Sequence, residues 1–174
     1  MFRLSSQGQT VRDWIDEFRR TVMDATDRLR QIPESQSAQS IDDTWCAKEI
    51  IGHLIDSAAN NHARFVLAQT KADLIFPGYE QDRWVEIQDY RGASWGQLVD
   101  LWRAYNLHLA HVMARASDAQ LGQLRPAHAL EMIAFKAVDK AEPATLEYLM
   151  KDYIDHLKHH LKQIFDQVSP GNDG

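Results

Sequence analysis

The chain is short of several things, and each shortage closes off a class of function. It has one cysteine, Cys46, among 174 residues. An internal disulfide is therefore impossible, and a reducing compartment is the natural expectation. No window reaches 18 uncharged apolar residues, so no transmembrane helix is expected. The opening residues, Met1-Phe2-Arg3-Leu4-Ser5-Ser6-Gln7-Gly8, lack the apolar run of a secretion signal. A soluble, cytoplasmic protein without membrane attachment follows as the expectation. Basic residues are also in deficit, 19 against 25 acidic ones for a formal charge of −6. Binding nucleic acid or an anionic membrane needs a clustered positive excess, so small molecules or other proteins are the expected partners. No repeat of fixed period appears, and no Asn-Gly or Asp-Gly pair separates two alternating runs as a β-hairpin would require.

What is present is helical periodicity. Hydrophobic residues make up 44% of the chain, enough for one domain spanning 1–174 with its core at about 10–168. Val11, Trp14, Ile15, Phe18, Val22, Met23 and Leu29 recur at three and four, which predicts a helix over 11–31 capped by Thr10 and stopped before Pro33. The segment 33–43 has the Ser, Pro and Gln of a loop. Ile50, Ile51, Leu54, Ile55, Ala58, Phe65, Val66 and Leu67 predict a second helix from Cys46 to about 70, with Cys46 and Glu49 at the two positions of a capping box. A third runs from Ser94 to about 116 on Leu98, Leu101, Trp102, Tyr105, Leu109, Val112 and Met113. A fourth runs from Thr145 to about 168 on Leu146, Leu149, Met150, Tyr153, Leu157, Leu161, Ile164 and Val168. The fold class is all-α, a four-helix bundle with long inter-helix connections at 71–93 and 117–144. The first connection holds Phe76-Pro77-Gly78-Tyr79 and a short helix over Gln81–Val85, and is long and aromatic enough to be a lid. In the second, Ala129–Phe135 fits either a short strand or a turn of helix.

Histidine spacing points to chemistry. His156 and His160 stand four apart on the last helix, turned only about 40° from each other and flanking its apolar stripe. His53 shares its side of the second helix with Ile50 and Leu54. If the early part of the second helix faces the middle of the last, three imidazoles converge near one centre. Three neutral imidazoles leave a coordination position open, as catalytic sites do. The alternative is three core histidines satisfied by ordinary hydrogen bonds. His159 falls at the rim. His62 lies on the face opposite His53 and is expected to partner a loop, His108 and His111 are expected at the surface, and His128 has no assigned place. Asp152, four before His156, fits either a carboxylate orienting that imidazole or a solvated helix residue. Asp56, Arg64, Tyr79, Trp84 and Tyr105 are candidates to line a pocket beside the histidines, the aromatics equally so for core or lid. Cys46 at a helix start has the position of a reactive thiol, but a capping position already explains a small side chain there.

The run Trp45-Cys46-Ala47-Lys48-Glu49-Ile50-Ile51-Gly52-His53-Leu54-Ile55-Asp56-Ser57 resembles the second-helix motif of the DinB/YfiT-like superfamily. Asn60-Asn61-His62-Ala63-Arg64-Phe65, the Phe76–Tyr79 turn and the paired His156 and His160 are similar to one branch of it, and the likeness covers most of 10–168. The resemblance implies a four-helix bundle, often a homodimer, holding a divalent metal, nickel or zinc, on His53, His156 and His160. It implies a metal-dependent enzyme of the thiol S-transferase or hydrolase class, with a small-molecule substrate such as a low-molecular-weight thiol. Family members include bacillithiol- and mycothiol-dependent transferases, maleylpyruvate isomerases and hydrolase-like proteins. Cys46 departs from the usual Ser or Thr, which bears on capping rather than chemistry. The alternative is a non-catalytic, dimerising helical bundle of stress-response type.

Overall fold

The computed structural model describes residues 6–168, with side chains from residue 13 onward. Its helices are α1 (Ser6–Arg30), α2 (Glu34–Ser37), α3 (Ala47–Leu67), α4 (Gln81–Gln88), α5 (Trp95–Arg115), α6 (Asp118–Gly122), α7 (Leu130–Ile133) and α8 (Leu146–Val168), with a 3₁₀ turn at Tyr90–Gly92. The long ones, α1, α3, α5 and α8, form a four-helix bundle. Among the described residues there is no strand, only isolated bridges pairing Leu74 with His128 and Arg125 with Ala144.

Side-chain pairs across the helices give their directions. Arg30 meets Asp100 at 2.7 Å and Arg19 donates to the Ala110 carbonyl at 3.4 Å, so α1 and α5 are antiparallel. Gln167 donates to the Trp45 carbonyl while His53 faces His156, so α3 and α8 are antiparallel as well. Lys48 bonds the Ala93 carbonyl and His62 packs on Tyr105, which makes α3 and α5 parallel. Lys151 over Trp14, Lys158 on Glu17 and Arg28 over Phe165 make α1 and α8 parallel. Two parallel neighbours in sequence cannot be joined by a tight turn. The 68–94 segment must therefore travel the length of a bundle about 30 Å tall, which accounts for its size.

The core holds Phe18, Ile50, Leu54, Phe65, Trp102, Leu109 and Leu157. Gly52 is where α3 meets the 3₁₀ turn: a Cβ there would lie 2.0 Å from the Tyr90 ring, so only glycine permits this approach.

Several boundaries and faces differ from expectation. α1 starts at Ser6, which puts Thr10 inside the helix rather than at its cap, and the Val11 side chain lies outside the described ones. The 33–43 loop contains the single turn α2. α3 ends at Leu67 instead of 70. Its N-cap is Cys46, whose N–H donates to Glu49 Oε2 at 2.9 Å. α4 extends three residues past Val85, to Gln88. Met23, Val66, Leu67 and Leu101 are exposed. Each is adjacent in sequence to a buried position, and a step of about 100° per residue carries it off the narrow inward face. The Ala129–Phe135 piece takes one helical turn, α7, preceded by the bridge at His128.

Candidate metal centre

Antiparallel packing of α3 on α8 sets His53 across from His156 and His160. Ring centroids are 5.1 Å apart for His53 and His156, 4.9 Å for His53 and His160, and 4.6 Å for the α8 pair. One ring nitrogen from each lies within 4.8 Å of the other two, an arrangement able to hold a metal ion. The His53 and His156 Nε2 atoms approach to 3.1 Å. That is about the separation of two neighbouring ligands on one ion with metal–nitrogen bonds of about 2.0–2.1 Å.

Protonation favours the same use. Burial pushes His53 down to about 4, with His160 adding to the effect, and pushes His156 down to about 3, helped by the other imidazoles around it. Burial lowers His160 too. All three are neutral near pH 7 and offer lone pairs. His160 Nδ1–H donates to Gln163 Oε1 at 2.9 Å, which leaves its Nε2 free. His53 is 1% exposed and its Nδ1 has no partner. Among the described residues no carboxylate or thiol completes the group. The set is therefore three neutral nitrogens without a fourth protein ligand.

The cluster forms one wall of a cavity of about 470 Å³, lined along α3 by Ser57, Asn61 and Arg64, and across from it by Tyr79, Phe135 and Tyr153. Arg64 and Tyr79 thus stand where the sequence reading put them. Asp56 does not. It is 3% exposed behind the wall, accepting from the Tyr90 hydroxyl at 2.7 Å and from Gln88 at 2.9 Å, and burial raises its pKa. Trp84 packs outside on Tyr79, and Tyr105 lies on the other side of α3 against His62. Of the Phe76-Pro77-Gly78-Tyr79 turn expected as a lid, Gly78 and Tyr79 line the cavity, while Phe76 is buried in the core.

Asp152 overturns both expectations for it. It is neither solvated nor bonded to His156; its buried carboxylate accepts the N–H groups of Phe135 at 2.8 Å and Lys136 at 2.7 Å. Lys136 in turn reaches Asp155 at 2.6 Å. This pins the 117–144 connection over the site and lays Phe135 on His156 and His159, at 5.5 and 5.2 Å between centroids. Sequence reasoning missed Ser57 and Asn61 on the cavity wall, Gln163 beside His160 and, most of all, Phe135. Its only signal was the apolar piece 129–135, whose path a sequence does not give. His159 is exposed at the cavity rim. His128 is buried and structural, with Nε2–H on the Glu142 carbonyl and Nδ1 accepting from the Leu130 N–H. His62 faces His108 and Tyr105 rather than a loop. Cys46 is fully buried and burial raises its pKa, which removes it as a nucleophile.

The model of the DinB superfamily matches residues 17–164. The chain belongs to the DinB superfamily. Among curated sequences it is similar to "Putative metal-dependent hydrolase YfiT" of Bacillus subtilis strain 168, 22% identical over 154 residues that cover 86% of this chain and 81% of that one. A Bacillus mycoides strain KBAB4 protein, also named as a metal-dependent hydrolase of putative standing, is 25% identical over 81 residues, 47% of this chain and 43% of its own. The solved structure of YfiT, described as a probable metal-dependent hydrolase with an unusual four-helix bundle topology, superposes with a TM-score of 0.69 at 22% identity, covering 88% of this chain and 85% of that one.

Proposed function

We propose that His53, His156 and His160 hold a divalent metal ion, nickel or zinc, and that this DinB-superfamily protein is a metal-dependent enzyme of the hydrolase or thiol-transferase class acting on a small molecule. The observation that carries the reading is the convergence of three neutral imidazole nitrogens within 4.8 Å on the wall of a 470 Å³ cavity. The names of the relatives support the hydrolase arm. When bound, such a cation supplies a Lewis acid that stabilises negative charge developing on a water, a thiol or a substrate oxygen.

The chain's own residues do the rest. Trp45 packs tilted on His53 at 5.2 Å between centroids and Phe135 meets His156 in an edge-to-face contact, so both imidazoles are held by aromatic neighbours. Gln163 fixes the tautomer of His160. Ser57 and Tyr79 present hydroxyls along the cavity where a substrate would lie.

Elemental analysis of protein purified without a histidine tag tests this. About one nickel or zinc per chain is expected, together with loss of activity toward activated esters or in thiol conjugation after chelation. Folded protein that is metal-free and takes up neither added ion would sink the reading.

A further inference from the structure

Arg64 is a buried cation without a counter-ion. Its side chain is on the cavity wall, the residue is 5% exposed, and among the described residues no carboxylate forms an ion pair with it. Nη2 donates to the Pro77 carbonyl at 2.8 Å and Nη1 makes a long 3.4 Å contact with Asn61 Oδ1. Two neutral acceptors occupy two of the five donors of a guanidinium. Burying a charge is costly unless an opposite charge or a full set of neutral acceptors offsets it, and two acceptors are not a full set for a guanidinium.

The other buried arginine shows what a structural role looks like. Arg125, 1% exposed and likewise without an ion pair among the described residues, donates through both terminal nitrogens to the carbonyls of Ala68, Gln120 and Gln123, leaves its Nε unpartnered, and is not part of the cavity wall. Arg64 instead shares the wall with groups able to donate to the same ligand. The Tyr79 hydroxyl has no hydrogen-bond partner among the described residues, and burial raises its pKa, which keeps it a donor. The Ser57 hydroxyl has only a 3.4 Å contact from Asn61. The cavity's one lining carboxylate, Asp152, is already engaged by two backbone N–H groups.

We infer that the Arg64 end of the cavity is an oxyanion subsite, bound by Arg64 with the Tyr79 hydroxyl, so that the substrate is an elongated small molecule carrying a carboxylate or phosphoryl group remote from the histidine end. The inference deepens the proposed function and rests on it for the word substrate. His53, Ser57, Asn61 and Arg64 follow one face of α3, and Arg64 stands about 16 Å along the axis from His53 with its side chain leaning back toward it. A guanidinium takes either oxyanion in a bidentate fork, and the two are told apart by titration.

The test is calorimetric titration of the untagged, as-purified full chain with inorganic phosphate, with benzoate and with neutral benzamide, alongside elemental analysis of every sample. Wild type is expected to bind one anion, more weakly as ionic strength rises, and to ignore benzamide. A preference for phosphate identifies a phosphoryl group, and a preference for benzoate a carboxylate. Arg64→Gln should weaken that binding at least about tenfold while keeping its metal content. Tyr79→Phe, which deletes one hydroxyl donor and keeps the part-buried ring, should weaken it by a smaller factor. Absence of anion binding by wild type overturns the inference, as does anion binding that survives in Arg64→Gln and so belongs to the histidine end. Metal-loaded protein that binds no anion defeats the subsite alone. Anion binding by protein that takes up no metal leaves the subsite standing and defeats the metal reading.

Discussion

Two histidine groups sit on α3 about two and a half turns apart, and they share one ring spacing. His53 lies 4.9 Å from His160, and His62 lies 4.9 Å from His108, centroid to centroid. Yet His53 is buried at a cavity with one ring nitrogen turned to those of two partners, while His108 and His111 are exposed and a group of three converging ligand atoms forms only at the first site among the described residues. Proximity of rings is therefore not what makes a ligand set. Burial is, because it strips the imidazoles of water and protons together and leaves neutral nitrogens whose lone pairs have no other use.

Breaking the buried group should have the largest effect. His160→Ala leaves two imidazoles, and affinity for nickel or zinc should fall by more than the roughly 100-fold typical of losing a supporting partner. Competition with a chelator measures this, and unchanged metal occupancy would remove His160 from the ligand set.

Acid comes next. In the unfolded chain an imidazole takes up its proton near 6.5, whereas in the fold His53 resists until about 4 and His156 until about 3. Between these limits the unfolded state holds more protons, so stability of the metal-free protein is present above 6.5 and lost as pH falls toward 4. For His53 alone this is on the order of 3 kcal/mol. Urea midpoints of chelator-treated wild type and His53→Gln at pH 7.5 and 4.5 should show the steeper loss in wild type; parallel losses would mean that His53 is not held neutral.

A smaller effect is expected at the strap over the site. Asp152→Ala orphans the Phe135 and Lys136 N–H groups and should cost about 2 kcal/mol in urea unfolding without lowering metal content, since Asp152 does not touch the imidazoles. A loss of metal equal to that in His160→Ala would restore Asp152 to the role of orienting the His156 imidazole. The outer group should respond least. His108→Ala removes an exposed ring and should stay within about 0.5 kcal/mol of wild type with full metal content.

Local periodicity in the sequence determined much of this molecule. The four long helices, the cap pairing of Cys46 with Glu49, and the placing of His53 and the His156 and His160 pair on inward faces follow from a 3.6-residue repeat and short-range hydrogen bonds, which any stretch of chain carries within itself. What lay between helices was decided elsewhere. Met23 and Leu101 read as core yet face solvent, because which side of a helix is buried depends on where its neighbours stand. Asp56 was drawn to Tyr90 instead of the cavity, and Asp152 holds the backbone of a distant connection instead of an imidazole. Phe135 reaches the histidines only because a segment of about thirty residues folds back over them. Such contacts join groups far apart in the chain, and they form only once the parallel pairing of α3 with α5 and the antiparallel pairing of α3 with α8 have been set by packing.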